Sequence, residues 1–443
     1  MPFISNTDQQ QQQMLEAIGL TMDDLFADIP DELKIKNLEL ERGLTEQELQ
    51  VRLQALSGKN STHLTYFLGG GFYDHFIPAA IPALAGRSEF YTAYTPYQPE
   101  ISQGTLQAIY EFQSMICRLT GMEVSNASMY DGGTAMYEAM MMALRKTRRN
   151  KVIIDDSVNP IYRVMIHSYT QNLNIELDET KHSDGRANRD AILEQLDKET
   201  GAVILQNPNF FGCIDDFTDI AEAAHEKGAL LIMCCYPTSL GILKTPGSMG
   251  ADIVVGEGQC LGLPLSFGGP YLGVLATTRK LMRKMPGRIA AETTDGEGNR
   301  GYVLTLQARE QHIRRDKATS NICSNEALCA LQASIYMSLL GKKGLKDIAN
   351  LCADKASYAF DRLTAVPGVK ARWGKNWFYN EFVIDLPTDA TDVVSKLIEK
   401  GIAAGFPLSR YYEGMDNALL IAVTEKRTKQ EISTLADALE AIL

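Results

Sequence analysis

The glycine-rich stretch at residues 256–270 is the part of the sequence best suited to hold a ligand. Short apolar runs precede it, at residues 252–256, and follow it, at residues 271–277. The pattern predicts a strand, a loop and a second strand, with the loop at the carboxyl end of a buried strand. Open α/β sheets bind their ligands at such ends, and glycines let the backbone approach a ligand closely. A tight buried crossover between two strands would give the same pattern, so both interpretations stay open.

A second candidate site, for an anion, lies at Gly132, Gly133 and Thr134. Asp131 can cap a helix that begins at these glycines and has Thr134 in its first turn. The free backbone N–H groups at such a helix start can bind a phosphate. Many helices begin in this way without binding anything, so the pattern by itself predicts only the helix.

Aromatic residues are concentrated in two loop-like stretches before the predicted sheet. Tyr73 and His75 follow three consecutive glycines, and Tyr94 and Tyr97 belong to a proline-containing stretch at residues 89–104 that cannot be helical throughout. Tyrosines spaced along an extended segment are typical of one wall of a pocket or of an interface. Aromatic packing under a long loop would explain them equally well.

The elements that must position these residues alternate between strand and helix from residue 151 onward. Short, almost wholly apolar strands are predicted at residues 151–155, 202–206, 230–234, 252–255 and 272–277. Helical patterns lie between them, which indicates a mostly parallel, buried, doubly wound sheet. The fold class is therefore α/β.

Three regions are predicted along the chain. Residues 1–62 form an N-terminal helical arm with too little core to fold alone, lying across the main body or a partner subunit. Residues 63–325 form the large α/β domain, within which residues 281–309 are a charged, glycine-rich excursion over the surface. Residues 326–443 form a small C-terminal α+β domain.

Composition excludes several classes of function. The 443 residues carry a net charge of −12, which disfavours a nucleic-acid binder. No apolar run is long enough to span a membrane. The eight cysteines form neither a C-x-x-C pair nor a cluster with histidine, so we predict no metal site and no disulfide framework. The start of the chain lacks a secretory signal, and a cytoplasmic location is expected.

Several motifs together resemble one family of pyridoxal-phosphate (PLP) enzymes. They lie at residues 6–33, 68–75, 94–104, 127–135, 256–270, 307–323 and 422–428. Over essentially its whole length the chain is similar to the P-protein of the glycine cleavage system, and its length and N-terminal segment look like the α subunit of the two-chain form. The resemblance implies a fold type I large domain with a smaller C-terminal domain.

The resemblance also implies that catalytic groups are missing from this chain. Matched on Pro264, Gln259 stands where the paralogous β subunit has the lysine that forms a Schiff base with PLP, and an amide cannot do so. Tyr236 falls near the position of the expected ring-pairing carboxylate, and Asn159 stands where the family often has histidine. Only the phosphate cradle at residues 132–134 is retained. PLP is therefore expected on the β subunit, with none bound covalently here and no catalytic residue in this chain alone.

The function implied is that of a completing subunit. With the β subunit, as an α2β2 tetramer, the chain would decarboxylate glycine and pass the aminomethyl group to the lipoyl arm of H-protein. Tyr94, Tyr97, Tyr73 and His75 are the residues predicted to complete the partner's active site. Two alternatives remain: a stand-alone PLP-dependent aminotransferase or lyase that uses Lys317, and a purely structural or regulatory pseudoenzyme subunit.

Overall fold

A computed structural model describes residues 5–35, 37–91, 93–266 and 268–443. Residues 1–4 and 36 of the predicted arm, residue 92 of the tyrosine stretch and residue 267 of the glycine-rich loop lie outside the described residues. The described chain divides into two compact units, Met1–Thr62 and His63–Leu443. No described helix is both long and apolar enough to cross a lipid bilayer.

The first unit contains two α-helices, each started by a capping box. They are α1 (Asp8–Ile18) and α2 (Glu46–Ser57), capped by Thr7 and Thr45. Neither helix has a buried residue. The helices are therefore fixed by local capping and not by a core of their own.

The second unit opens with short elements and then alternates strands with helices. Its first elements are β1 (Thr65–Tyr66), α3 (Ala80–Ala85), α4 (Gln103–Thr120), β2 (Val124–Ser125), α5 (Gly132–Thr147), β3 (Lys151–Asp155), α6 (Pro160–Thr170), β4 (Glu176–Thr180), α7 (Arg189–Gln195), β5 (Thr200–Asn207), α8 (Thr218–Lys227), β6 (Leu230–Cys235), β7 (Ile253–Glu257) and β8 (Gly273–Thr277). The seven-stranded central sheet has the order β2-β8-β7-β6-β5-β3-β4. Strands β3 to β7 run parallel, and β8 and β2 pair antiparallel.

This sheet confirms the predicted α/β class and the mostly parallel pairing. The middle strands are buried along their whole length because helices cover both faces, which explains their continuous apolar sequences. Strand β4 lies at the sheet edge and has the polar sequence Glu-Leu-Asp-Glu-Thr. It was not predicted, because the strands were recognised by their apolar sequences. The helix predicted to start at Gly132 begins there, with Asp131 as its cap.

The remaining elements form a hairpin, a long helix and a second sheet. They are β9 (Ile289–Thr294), β10 (Arg300–Thr305), α9 (Gln311–Arg314), α10 (Ala327–Thr364), β11 (Lys370–Ala371), β12 (Glu381–Asp385), α11 (Ala390–Glu399), β13 (Ile402–Ala403), β14 (Phe406–Pro407), β15 (Ala418–Ala422) and α12 (Lys429–Glu440). Helix α10 is kinked at Gly341, which has a positive φ of 60°. The four-stranded sheet has the order β11-β12-β15-β14.

The prediction of a surface excursion at residues 281–309 was wrong in part. Strands β9 and β10 form a regular antiparallel hairpin, and Ile289, Ala290, Tyr302 and Leu304 are buried. The hairpin lies against α4, where Gln113 hydrogen-bonds both the N–H and the carbonyl of Ala290. The charged turn and the strand ends next to it are exposed, and their composition dominated the sequence pattern.

Candidate functional site

The centre of the candidate site is Gln259, just beyond the carboxyl end of β7. Its side chain is buried, and its Oε1 accepts a hydrogen bond from the backbone N–H of Tyr73 at 2.8 Å. Its Nε2 donates to the carbonyl oxygens of Tyr73 at 3.1 Å and Leu263 at 2.8 Å. Every polar atom of this side chain is used within the chain. Gln259 therefore fastens the Tyr73 segment to the glycine-rich loop.

The predicted phosphate cradle is occupied by a side chain of the same protein. The carboxylate of Glu257, the last residue of β7, accepts from the N–H of Gly132 at 3.0 Å. Its other oxygen accepts from the N–H groups of Gln259 and Leu272, each at 3.0 Å. The side-chain oxygens of Glu257 therefore take N–H donors that a phosphate would otherwise take. Burial raises the pKa of Glu257 to about 8, against the lowering effect of these N–H donors.

Two tyrosine rings fill the space above the sheet. Tyr73 and Tyr236 stack with their centroids 4.1 Å apart, and Tyr236 follows the end of β6. Burial and the nearby carboxylate of Glu381 raise the pKa of Tyr73, whose hydroxyl donates to that carboxylate at 2.7 Å. These two rings line the small space that remains at the ends of β5, β6 and β7.

His75 links these two rings to the C-terminal part of the chain. Its Nε2 hydrogen-bonds the Tyr236 hydroxyl, and its Nδ1 lies 2.6 Å from the Glu425 carboxylate. Cys352 lies beside them, and the donor atoms of His75, Cys352 and Glu425 are all within 4.8 Å of one another. Burial acts to raise the pKa of Glu425, but hydrogen bonds, chiefly from His75, hold that pKa below its ordinary value. The 2.6 Å contact is a charge-assisted hydrogen bond, which accounts for this cluster without a metal.

The three glycines before Tyr73 are required by close approach to other residues. An added Cβ at Gly69 would collide with the Glu381 carboxylate, which accepts from the N–H of Gly70 at 2.6 Å. Gly70 and Gly71 have φ angles of 75° and 114°. The carbonyl of Gly70 accepts from the side chain of Asn159 at 2.8 Å. Asn159, which stands where a ring-stacking histidine was expected, thus binds the backbone of this glycine segment.

Very little empty space remains in this pocket. Its cavity measures about 20 Å³ and is lined by Gly71, Tyr73, Asn159, Tyr162, Gln206, Cys234, Cys235, Tyr236 and Glu257. Such a volume holds about one or two water molecules. Pockets for small organic ligands measure roughly 300–1,000 Å³.

The predicted site residues fall into two separate groups. Tyr73 and His75 are buried beside Gln259, together with the cradle of Gly132 and Gly133. Tyr94 and Tyr97 are 84% and 46% exposed.

An apolar pocket of about 400 Å³ lies beside Tyr94 and is also lined by Ala108 of α4, Leu328 of α10 and Asn325, which precedes α10. We refer to Tyr91, Tyr94 and Tyr97 with this pocket as the tyrosine face.

Three buried carboxylates escaped the sequence reasoning: Glu257, Glu381 and Glu425. Glu257 ends a strand that is otherwise apolar, and Glu381 begins one whose next three residues are apolar. A lone acid inside an apolar strand is a signal that could have found them, because such an acid needs a partner inside the protein. The partners themselves are far along the chain, as with Tyr73 and Glu381, 308 positions apart.

Comparison with solved structures places the fold among PLP-dependent enzymes of fold type I. A sphingosine-1-phosphate lyase of Burkholderia pseudomallei aligns over 93% of each chain with a TM-score of 0.68 at 15% identity. A glutamate decarboxylase of Lactobacillus brevis covers 93% of this chain and 95% of its own, also with a TM-score of 0.68, at 14% identity. At these identities the likeness concerns the fold alone.

The particular family follows from closer similarities. The family model of the glycine cleavage system P-protein matches residues 1–439, and the chain belongs to this family. A probable glycine dehydrogenase (decarboxylating) subunit 1 from Maridesulfovibrio salexigens is 55% identical, and one from Geotalea daltonii is 56% identical, each over 100% of both chains. The crystal structure of a glycine decarboxylase (P-protein) in inhibitor-bound form aligns over 100% of both chains, with a TM-score of 0.93 at 43% identity.

The pocket of this chain does not fit PLP, the cofactor expected in such a fold. No amine stands at residue 259, the cradle at Gly132 holds the Glu257 carboxylate, and the rings of Tyr73 and Tyr236 fill the layer above the sheet. The 20 Å³ that remain are far too small for the cofactor. The pocket is therefore a closed, internally bonded part of the fold.

Proposed function

We propose that this chain is the non-lysine-bearing subunit of a two-chain glycine dehydrogenase (decarboxylating, aminomethyl-transferring). The full-length relatives called subunit 1 and the inhibitor-bound P-protein support this assignment. The observation that carries it is the bonding of Gln259 to both backbone groups of Tyr73, which leaves neither an amine nor space for a cofactor. In this proposal the chain keeps the fold of its family but not the cofactor site.

PLP, in this proposal, is held covalently by a lysine of the partner β subunit, and none is bound covalently by this chain. The cofactor supplies an electron sink for the carbanion left when CO2 departs from glycine. The complex then transfers the aminomethyl group to lipoylated H-protein. We propose an α2β2 assembly in the cytoplasm, a reducing compartment that suits the eight free cysteines.

The contribution of this chain is to complete the partner's active site through the tyrosine face. Tyr94 and Tyr97 are large aromatic side chains exposed beside an apolar pocket, which is typical of interface residues. In this proposal Tyr73 and His75 do not contact the partner's site, because they are buried. They act indirectly by fixing the segment that ends at exposed Phe76.

Reconstitution tests the function. The purified chain is mixed with a PLP-carrying β subunit of the same family, and glycine-dependent CO2 exchange is measured with lipoylated H-protein. We expect no activity from this chain alone and a gain of at least about tenfold over the β subunit alone. Equal activity with and without this chain would refute the proposal.

A further inference from the structure

A buried arginine without a carboxylate partner lies beneath the tyrosine face. Arg288 is only 3% exposed. The other two buried arginines of the described residues, Arg163 and Arg427, pair with Glu179 at 3.0 Å and Asp74 at 2.9 Å. No carboxylate among the described residues lies within salt-bridge distance of the guanidinium of Arg288. An uncompensated buried cation is costly, so its presence calls for an explanation.

The groups that do surround Arg288 are neutral. Its Nη1 donates to the side-chain oxygen of Asn325 at 3.2 Å and lies 3.5 Å from the Ser324 hydroxyl. Its Nε has no acceptor among the described residues. The ring of Tyr97 covers the guanidinium, with 5.9 Å between the ring centroid and Cζ. Asn325 also lines the apolar pocket beside Tyr94, so Arg288 adjoins the tyrosine face directly.

Arg309 and His312 lie close to this part of the chain. Arg309 donates to the carbonyl of Gly287, next to Arg288, at 2.9 Å, and no carboxylate of the described residues pairs with it. His312 also contacts Tyr97, with ring centroids 5.5 Å apart. Glu310 has one oxygen 3.5 Å from His312 and leaves its other oxygen without a partner among the described residues. Glu310 does not neutralise Arg288.

We propose that Arg288, with Asn325 beside it, binds an oxyanion that enters from the partner subunit's active site. The inference rests on the proposed function, because it needs a partner site facing the tyrosine face. The planar guanidinium fork matches the two oxygens of a carboxylate or phosphate, and binding would supply the missing negative charge. Two sources have this chemistry: the phosphate of the partner's cofactor and the carboxylate of glycine.

The test replaces Arg288 in the reconstituted complex and measures binding as well as turnover. Arg288→Gln removes the charge and keeps a polar side chain of similar reach. If the anion is the cofactor's phosphate, affinity for PLP falls at least about tenfold, while affinity for pyridoxal, which lacks the phosphate, is unchanged. If the anion is the substrate's carboxylate, the affinity for glycine falls by a similar factor, while that for methylamine is unchanged. Either result supports the proposal.

Two further variants separate this role from a merely structural one. Asn325→Asp places a carboxylate beside the guanidinium, so we expect a chain at least as stable as wild type whose complex still binds the anion about tenfold more weakly. Arg300→Gln removes the same charge from the exposed first residue of β10 and should change neither affinity. Arg288→Lys should recover part of the lost affinity, because the point charge remains and the fork is lost.

Unchanged affinities for PLP and glycine in an assembled Arg288→Gln complex would overturn the inference. It would also be overturned if the variant only weakened association between the subunits, because Arg288 would then pair with a side chain of the partner. Failure of the wild-type chain to assemble with the β subunit or to raise its activity would instead refute the proposed function. The two failures are therefore distinguishable.

Discussion

Gln259 and Tyr73 hydrogen-bond in both directions across 186 positions of sequence. The side-chain carbonyl of Gln259 accepts from the backbone N–H of Tyr73 at 2.8 Å, and its amide donates to the carbonyl of the same residue at 3.1 Å. A primary amide carries an acceptor oxygen and an N–H donor side by side, which matches the backbone N–H and C=O of a single residue. Lysine has no acceptor and could not make this pair. Gln259 therefore acts as a structural clamp between the glycine-rich loop and the Tyr73 segment.

The first prediction is that restoring the amine does not restore cofactor binding. In Gln259→Lys, the N–H of Tyr73 loses its buried acceptor and a charge enters a cavity of about 20 Å³, so we expect a loss of about 3 kcal/mol of unfolding free energy. Incubation with excess PLP, borohydride reduction and intact-mass measurement should show no pyridoxyl adduct on the wild type or the variant.

A lysine-bearing β subunit treated in parallel is the positive control and should gain one pyridoxyl group. A stoichiometric adduct on the wild-type chain that disappears in Lys317→Ala would contradict the prediction and favour a stand-alone PLP enzyme. Lys317 is exposed beside α9 and lies on no strand end. That placement does not suit an amine that must be desolvated to react.

A second prediction concerns the occupied cradle. In Gly132→Ala the added Cβ would meet the Tyr162 hydroxyl at 2.5 Å and the N–H nitrogen of Glu257 at 3.0 Å, and both neighbours are buried. We expect a loss of about 1–3 kcal/mol from overpacking. Gly104→Ala, in the first turn of α4 with no atom near the added Cβ, is the matched control and should be neutral or stabilising. Urea unfolding of both variants measures the difference, and equal midpoints would contradict the tight packing.

The local parts of this site could be predicted from sequence. The cap by Asp131, the strand before the loop and the missing lysine at residue 259 depend on neighbours in the sequence or on a motif. The cap and the strand need no knowledge of the tertiary fold, which explains why the structure confirms these two features.

The parts that depend on distant segments could not be predicted. Nothing near residue 257 indicates that its carboxylate turns back to the start of α5, 125 positions earlier in the chain. The same is true of the burial of Tyr73 and His75, which requires Glu381 and Glu425 from the C-terminal region. Their aromatic sequence fits an interface and a core equally well, and only the packed fold distinguishes the two.

A third prediction concerns pH. Burial raises the pKa of Glu381 to about 7 from 4.5, against the lowering effect of hydrogen bonds from Tyr73 and Gly70. A carboxyl whose pKa is raised on folding stabilises the protein below its unfolded pKa, and that stability is lost as the pH rises through the folded pKa. The contribution of Glu381 to the unfolding free energy is therefore present below about pH 4.5 and lost by about pH 7. The total loss is about 3 kcal/mol.

Glu381→Gln tests this dependence because glutamine can keep both hydrogen bonds: its oxygen accepts from Gly70, and its amide donates to the Tyr73 hydroxyl. The variant should gain stability relative to wild type between pH 4.5 and 7, with no further change above. Urea unfolding at pH 5 and pH 7.5 measures the difference. Asp385→Asn is the control, since Asp385 ends the same strand but is half-exposed and paired with Arg372. The raised pKa would be contradicted if the unfolding free energies of Glu381→Gln and wild type differed by the same amount at both pH values.

The final prediction concerns the tyrosine face. Tyr94 is 84% exposed, so Tyr94→Ala should leave the unfolding free energy of the isolated chain within about 0.5 kcal/mol of wild type. In the reconstituted complex we expect turnover to fall about tenfold or more, because the face would no longer complete the partner's site. Tyr169→Ala, which truncates an equally large exposed ring on α6, is the matched control and should leave turnover unchanged. Size-exclusion chromatography must show intact assembly in both cases. Tyr97→Ala is tested in the same way. If both variants assemble and turnover is unchanged, this chain serves as a scaffold and does not help form the active site.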